Sequence, residues 1–305
     1  MTATEPVFPL VLRRRLIGLP FGATLSARRG LGSDVAGTRP YRPGDDMRLI
    51  DWAASARLSS ARALDEFVVR EHFAEEAPRV VVVCDRRPAM ALYAPELPWL
   101  SKPEAMRVAT SLIFESAARV HGAVGYLDFA AGEQEPFWRP PTTRRLEEGH
   151  LARAGFAAPE DNLTRAFEHL GRQRGILPAG SFAFVLSDFL VRPPDDVWLA
   201  AIDRRWDVVP VVVQDPTWEA SFPAVGGLLL SLADAATGRV ARVRLTAAEA
   251  TARREASEAR LEALLSGFRG LGVDPVLVSS AEPETVLAAF LGWAEQRVVE
   301  RRAGW

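Results

Sequence analysis

The chain has few of the residues that most often carry out chemistry in proteins. Its 305 residues include one cysteine, four histidines and one lysine, although 37 residues are basic. The lone cysteine, Cys84, excludes an intramolecular disulfide and is typical of a reducing compartment, so we expect a cytoplasmic protein. The histidines are far apart in the chain and show no metal-ligand spacing: His72, His121, His150 and His169. The sequence therefore predicts neither a His/Cys metal centre nor a cysteine nucleophile.

The chain also lacks an excess of charge and a long apolar run. With 37 basic and 39 acidic residues its net charge is -2, so no overall basic field attracts nucleic acid or an anionic membrane. Local arginines at 13–15 and 28–29 leave nucleic-acid binding as a weaker hypothesis, because few aromatic residues accompany them. No uncharged run approaches the ~20 residues of a membrane span, and the basic cluster follows the first apolar stretch, so we expect neither a transmembrane segment nor a signal peptide.

Signatures of the common catalytic sites are missing as well. The chain contains no phosphate-binding G-x-x-x-x-G-K-[ST] loop, no H-E-x-x-H metal pair and no G-x-S-x-G nucleophile turn. The stretch GLGSDVAG at 30–37 lacks the third glycine of a dinucleotide fingerprint and does not open a helix. These absences predict a protein without a cofactor and argue against an enzyme.

What the chain does contain is a regular alternation of strands and helices from residue 79 onward. Continuous apolar runs predict interior strands at 79–85, 122–129, 181–189, 207–215 and 273–280. Helical patterns lie between and after them, at 103–121, 162–173, 195–205, 246–268 and 283–302. A hairpin is predicted at 222–245, at an edge of the sheet. The fold class that follows is α/β, a doubly wound, mostly parallel sheet over residues 79–305.

Residues 1–78 show no such alternation and predict a small β-rich N-terminal segment. Within it, RPYRPGDDMRLIDWAASAR at 39–57 is dense in paired charges built around a Pro-Gly turn. Its candidate functional residues are Arg39, Tyr41, Arg42, Asp45, Asp46, Arg48, Asp51, Trp52 and Arg57. The arginine forks suit bidentate carboxylate pairing, and the aromatic rings supply apolar area. The segment is either a charged clamp that docks the N-terminal segment onto the sheet domain or a partner-binding surface.

A second group of candidates lies where strands of the predicted sheet end. Asp85 and Asp188 each follow a strand, and Asp161 precedes a helix, so all three are expected at the carboxyl edge where open α/β sheets bind ligands. Three carboxylates could hold Mg²⁺ in a metal-assisted hydrolase. Against that alternative, no general base or nucleophile is evident, and Arg86 and Arg87 would repel the ion.

The segment YRPGDDMRLIDWAASAR, followed by EFVVREHFAEE and then by a strand ending in Asp, resembles the domain of unknown function 58 family over roughly residues 32–215. The resemblance implies a von Willebrand factor type A-like domain after this segment and an association with MoxR-type AAA+ ATPases in bacteria. Type A domains often carry a metal-ion-dependent adhesion site that begins Asp-x-Ser-x-Ser. Here that motif falls on DRRPA at 85–89, so Arg87 and Ala89 replace the serines, while the threonine and the last aspartate fall on Asp161 and Asp188.

The resemblance therefore implies a degenerate adhesion site made of Asp85, Arg87, Asp161 and Asp188. We expect no metal there, because a guanidinium from Arg87, or failing that Arg86, would supply the positive charge. The function predicted from the sequence is a non-catalytic protein-interaction module, an adaptor or assembly factor working with a MoxR-type AAA+ ATPase or its client. The alternative is the metal-assisted hydrolase that uses the three aspartates.

Overall fold

The structure is a computed structural model that describes residues 7–13, 35–41, 47, 50–62, 67–72, 77–92, 100–130, 135–144, 155–173, 175–233 and 239–303. The chain forms two compact units. The N-terminal unit comprises residues 20–77, and the sheet unit comprises residues 1–19 together with 78–305. The prediction assigned residues 1–78 to the N-terminal segment, whereas in the structure the first 19 residues belong to the sheet unit.

The N-terminal unit contains a strand pair and a helix. Strand β1 (Val35–Pro40) pairs antiparallel with β2 (Val68–His72). Helix α1 (Trp52–Arg62) lies between them in the chain and was not predicted for this β-rich segment. Its alanine-rich sequence favours a helix, and the Asp51 carboxylate accepts the Ala54 amide proton at 3.0 Å to close its first turn. The segment predicted to be β-rich therefore contains a helix beside its two strands.

The sheet unit is built on six strands in the order β10-β7-β6-β3-β4-β5. The strands are β3 (Arg79–Cys84), β4 (Ala123–Asp128), β5 (Phe137–Thr142), β6 (Phe182–Ser187), β7 (Asp207–Val213) and β10 (Val276–Val278). Every neighbouring pair is parallel except β4 with β5. The predicted α/β fold with a mostly parallel central sheet is confirmed.

Helices cover both faces of this sheet. They are α2 (Lys102–Arg119), α3 (Asn162–Arg172), α4 (Asp195–Asp203), α5 (Ala247–Gly270) and α6 (Pro283–Ala303). One apolar cluster joins α2, α6 and one sheet face, and a second joins α3, α4, α5 and the other face. Among the described residues, no helix combines the length and the hydropathy that crossing a membrane requires.

Two features of the sheet unit depart from the prediction. Strand β5 was not foreseen; it is an antiparallel edge strand, the position in a sheet where its prolines Pro140 and Pro141 are tolerated. The hairpin was expected at an edge of the main sheet. Instead β8 (Leu229–Ala233) and β9 (Val240–Arg244) form a separate two-stranded sheet.

Candidate functional site

The candidate site lies where the carboxyl ends of β3 and β6 meet. If the six strands are numbered by their order in the chain, their order across the sheet from β5 to β10 is 3-2-1-4-5-6, the doubly wound order. The chain adds strands outward in one direction up to β5 and in the other direction from β6, so the switch point lies between β3 and β6. The Asp85 amide donates to the Leu186 carbonyl at 2.9 Å, which keeps the two strand ends side by side. Asp85 and Asp188 are consequently neighbours, and both are fully buried.

Arg87 lies between these two carboxylates and bonds to both. Its Nε donates to the two Asp85 oxygens at 3.1 and 2.9 Å. Its Nη2 donates to Asp85 Oδ2 at 2.6 Å and to Asp188 Oδ1 at 2.8 Å. The Arg87 backbone amide also donates to Asp85 Oδ1 at 3.0 Å, which fixes the turn after β3. One guanidinium thus bridges both aspartates, as its planar fork allows.

Asp85 has two further donors that the sequence analysis missed. Asn162, at the first turn of α3, donates from Nδ2 to Oδ1 at 3.1 Å, and the Ser187 hydroxyl donates to Oδ2 at 2.7 Å. Asn162 is the only asparagine in the chain, and both side chains are buried. In the sequence, Asn162 could have been identified because it is the only asparagine and follows Asp161. Ser187 could have been identified because it immediately precedes Asp188.

Asp188 is held by a second cation, Lys102, which the sequence analysis also missed. The fully buried Lys102 ammonium donates to Asp188 Oδ2 at 3.0 Å and to Glu219 Oε1 at 2.7 Å. It is the first residue of α2, so it connects that helix to the loop after β7 that contains Glu219. In a chain with 37 basic residues it is the only lysine, which was the available signal.

The same loop is bonded to the crevice through hydrogen bonds between side chains and backbone groups. Gln214 Nε2 donates to the Asp188 carbonyl at 2.6 Å, and the Asp215 amide donates to Glu219 Oε2 at 2.9 Å. Asp215 in turn accepts the Leu100 amide at 2.7 Å. The carboxylates of the crevice are therefore part of one hydrogen-bonded network that joins β3, β6, α2 and the loop after β7.

The network shifts the pKa values of Asp188 and Arg87. Burial by itself would raise the pKa of Asp188, but the charges of Lys102 and Arg87 outweigh it, so the pKa of this carboxyl is lowered. For Arg87 burial acts to lower the pKa, and bonding to Asp85 and Asp188 outweighs it, so the pKa is raised. Both groups stay charged across the physiological range.

These residues do not fit a bound divalent cation. The guanidinium of Arg87 lies within bonding distance of both carboxylates, in the place that a bridging metal ion would need. The other donors to Asp85 and Asp188 occupy further lone pairs of the same oxygens. Across the described residues no group of three or more His, Cys, Asp or Glu side chains could hold a metal ion.

Asp161 was predicted to join this site and does not. Its side chain is 55% exposed and pairs with Arg165 of α3 at 2.9 Å. The next residue, Asn162, bonds to Asp85 instead. Arg86, the second choice for the cation, points away from Asp85. It donates to the Tyr126 hydroxyl at 2.9 Å and lies 3.4 Å from Asp128.

The candidate residues of the N-terminal unit are described only in part. Arg42, Asp45, Asp46 and Arg48 lie outside the described residues, as does the side chain of Arg39, whose backbone belongs to β1. Asp51 acts as the cap of α1. Arg57 is exposed and donates from Nε to the Ala53 carbonyl of its own helix at 3.2 Å.

Tyr41 and Trp52 contribute to a small aromatic patch. The Phe67 ring meets Trp52 edge-on at 6.0 Å and Tyr41 edge-on at 6.5 Å between ring centroids. Trp52 is 61% exposed, and Phe67 is also exposed. We call Tyr41, Trp52 and Phe67 the aromatic patch.

The solved structures that are similar to this chain include two from Bacteroides species. BatB from Bacteroides thetaiotaomicron is 16% identical, with a TM-score of 0.39, over 72% of this chain and 99% of that one. An aerotolerance-related membrane protein from Bacteroides fragilis is 15% identical, with a TM-score of 0.41, over the same shares. These scores are too low to support an argument about function.

Sequence comparison shows bacterial relatives and the family. Uncharacterized protein Mb1516 from Mycobacterium bovis and Uncharacterized protein Rv1480 from Mycobacterium tuberculosis are each 26% identical over 253 residues, which is 79% of this chain and 72% of the relative. The family model described as Protein of unknown function DUF58 matches residues 37–263. That match includes the Pro-Gly-Asp-Asp segment, Arg87 and both crevice aspartates, and the chain belongs to the DUF58 family.

Proposed function

We propose that this protein is a non-catalytic protein-interaction module that acts as an adaptor or assembly factor with a MoxR-type AAA+ ATPase. In this proposal the sheet unit is a von Willebrand factor type A-like domain whose adhesion site has become an internal ion pair. The N-terminal unit provides the surface on which the ATPase or its client binds.

The observation that carries the proposal is the aromatic patch. Exposed tryptophan beside other aromatic rings is the composition of binding hot spots, because such rings bury a large area at little cost in conformational entropy. Trp52 and Phe67 make only edge contact with each other and leave much of their surface to solvent. A partner that covers them would gain the apolar burial that the folded chain leaves unused.

The crevice supports a structural role more than a catalytic one. A carboxylate that acts as a base or a metal ligand needs a free lone pair aimed at the reactant. Asp85 instead accepts from Arg87, Asn162 and Ser187, and Asp188 accepts from Arg87 and Lys102. The rival hypothesis of a metal-assisted hydrolase is therefore less favoured, and it also loses Asp161.

The type A-like assignment and the partner rest on the order of the strands and on the resemblance of the segment at 39–57. The bonds from Arg87 to Asp85 and Asp188 support the proposal that an internal ion pair replaces the adhesion-site metal. Because the resemblance implies an association with MoxR-type ATPases, such an ATPase is the first partner to test.

The test is binding of the full chain to the purified MoxR-type ATPase from the same genome, loaded with ATP or with ADP, by biolayer interferometry. We expect binding that depends on the nucleotide and that Trp52→Ala and Phe67→Ala each weaken by about tenfold or more. Val299→Ala is the matched control, since it truncates an exposed apolar side chain on α6 of the sheet unit.

Two outcomes would contradict the proposal. One is the absence of binding in either nucleotide state. The other is equal binding by the wild type and both patch variants, because the aromatic patch would then have no part in recognition. Metal-dependent phosphoester turnover that Asp188→Ala abolishes would instead favour the hydrolase.

A further inference from the structure

The hairpin of β8 and β9 is a two-stranded sheet with one covered and one open face. Leu230 and Val243 lie opposite each other in register and pack against a small core that includes Phe222 and Leu245. On the other face Leu229 pairs with Arg244 and Ser231 pairs with Arg242. An isolated two-stranded hairpin is marginally stable in water, so this one depends on its single covered face.

The open face exposes large aliphatic side chains. Leu229 is 64% exposed and Val240 is 67% exposed. They lie on the same face at opposite ends of the hairpin, since Leu229 is opposite Arg244 and Val240 is opposite Ala233. The open face therefore has an apolar component available for binding.

The same face has positive charge and no negative charge of its own. Arg242 and Arg244 are exposed in β9, and neither β8 nor β9 contains an aspartate or glutamate. Arg244 Nε donates to the Gly227 carbonyl at 3.2 Å, which holds its stem along the hairpin. Within the described part of the chain no ion pair joins either arginine to a carboxylate. The charge that complements this face is negative.

The outer edge of β9 is also open. β9 pairs only with β8, and in the described residues no backbone hydrogen bond links 240–244 to any other element. An edge strand presents unpaired N–H and C=O groups, and a third strand can add to them.

We propose that the outer edge of β9 binds an extended acidic segment of a partner protein as an added strand. Carboxylates at alternate positions of that segment pair with Arg242 and Arg244, because residues two apart in a strand share a face. This surface uses none of the residues on which the proposed function depends, so either proposal can fail alone.

The test uses a labelled short peptide that alternates glutamate with valine, titrated with the full chain and followed by fluorescence anisotropy. We expect saturable binding that weakens as salt rises. The double variant Arg242→Glu/Arg244→Glu should bind roughly tenfold more weakly or worse. The same variant should gain binding to a peptide in which lysine replaces glutamate, a rescue that simple loss of folding cannot produce.

Two controls separate strand addition from general attraction between charges. Arg269→Glu, on an exposed position of α5, should bind the glutamate peptide as the wild type does. Backbone N-methylation of the valines in one peptide and of the glutamates in another should abolish binding in one of the two, because an added strand presents one set of amides to β9. If the double variant does not fold, Arg242→Gln/Arg244→Gln removes both charges without reversing them.

The proposal is overturned if the wild type does not bind the glutamate peptide, if the arginine variants bind it equally well, or if both N-methylated peptides still bind. A further arm measures binding to phosphatidylcholine vesicles that contain phosphatidylserine. Arginine-dependent binding to these vesicles without binding to the peptide would show that the face recognises a lipid surface, and this too overturns the proposal.

Discussion

At the scale of single residues, Arg87 is the cation of the crevice. Two carboxylates this close repel each other unless a positive charge lies between them, and the Arg87 guanidinium bonds to both. Lys102 supplies a second positive charge from the opposite side of Asp188. Because the network is buried, each charge depends on the others, and removing one leaves a partner unpaired.

Arg87→Ala should lower the free energy of unfolding by about 3–5 kcal/mol, the cost of leaving a buried charge without its partner. The measurement is urea denaturation followed by circular dichroism. Arg165→Ala is the matched control, since it removes an exposed pair with Asp161 and should cost less than about 1 kcal/mol. Equal losses for the two variants would show that the crevice pair adds nothing beyond a surface pair.

A second experiment tests the assignment of Arg87 as the positive charge between Asp85 and Asp188. Micromolar binding of Mg²⁺ or Mn²⁺ to the wild type in a calorimetric titration would contradict it.

The lowered pKa of Asp188 predicts a dependence of stability on acid pH. In the unfolded chain an aspartate has a pKa of about 3.9, and burial against Lys102 and Arg87 leaves the folded value below that. The stability from Asp188 is therefore present above the unfolded pKa and is lost as the pH falls through the folded pKa. Unfolding free energies measured from neutral pH into acid should fall more steeply for the wild type than for Asp188→Asn. Parallel curves for the two proteins would refute this assignment.

Sequence reasoning found part of this network and missed the rest for a definite reason. Asp85, Arg87 and Asp188 could be placed because strand ends in an α/β sheet meet at one edge. Lys102 and Asn162 begin helices, and which side chain of a first turn points into the crevice depends on how that helix packs. The same dependence explains why Asp161 was chosen in place of its neighbour.

At the scale of the elements, the interior strands and their helices were predictable within a few residues. Strands buried on both faces are continuous apolar runs, as at β3, β6 and β7, and this pattern needs no knowledge of the neighbours. The capping box of α5 was likewise readable, and Thr246 and Glu249 make both of its bonds.

The elements that were missed depend on their neighbours. Strand β5 contains two prolines and joins the sheet because Gly125 of β4 leaves room for it; a Cβ there would lie 2.8 Å from the Arg139 carbonyl oxygen. Helix α1 has no continuous apolar stripe, and its cap at Asp51 forms within the folded N-terminal unit. The hairpin was correctly expected as two strands, but its own sheet is fixed by packing on Phe222 and Leu245.

At the scale of the whole molecule, the sheet unit is made of two separate stretches of the chain, residues 1–19 and 78–305. The first residues belong to the sheet unit: Phe8 stacks on Phe290 of α6 at 4.6 Å and meets Phe184 of β6 edge-on. Arg297 of α6 donates to the Val11 carbonyl at 2.9 Å. The start of the chain thus completes a core otherwise formed from residues far along it.

Phe8→Ala should therefore destabilise the sheet unit by about 3–5 kcal/mol, because it leaves a cavity in a closely packed aromatic cluster. Chemical denaturation monitored by tryptophan fluorescence measures the loss. Phe8→Leu should cost less, since it keeps most of the apolar volume, and Leu199→Ala, at an exposed position of α4, should change stability little. A small effect of Phe8→Ala would mean that the sheet unit is complete without the N-terminal residues.

The amino-acid sequence by itself determined the α/β class, the interior strands, most of the helices and the two aspartates at the sheet edge. Each of these follows from patterns within a few neighbouring residues, because burial on one or both faces imposes a period on the side chains. Only the tertiary structure decided that Arg87 and not Arg86 bridges the aspartates, that Lys102 and Asn162 complete the network, and that Phe8 enters the core. Those outcomes depend on distances between elements far apart in the chain, which packing sets and local sequence does not.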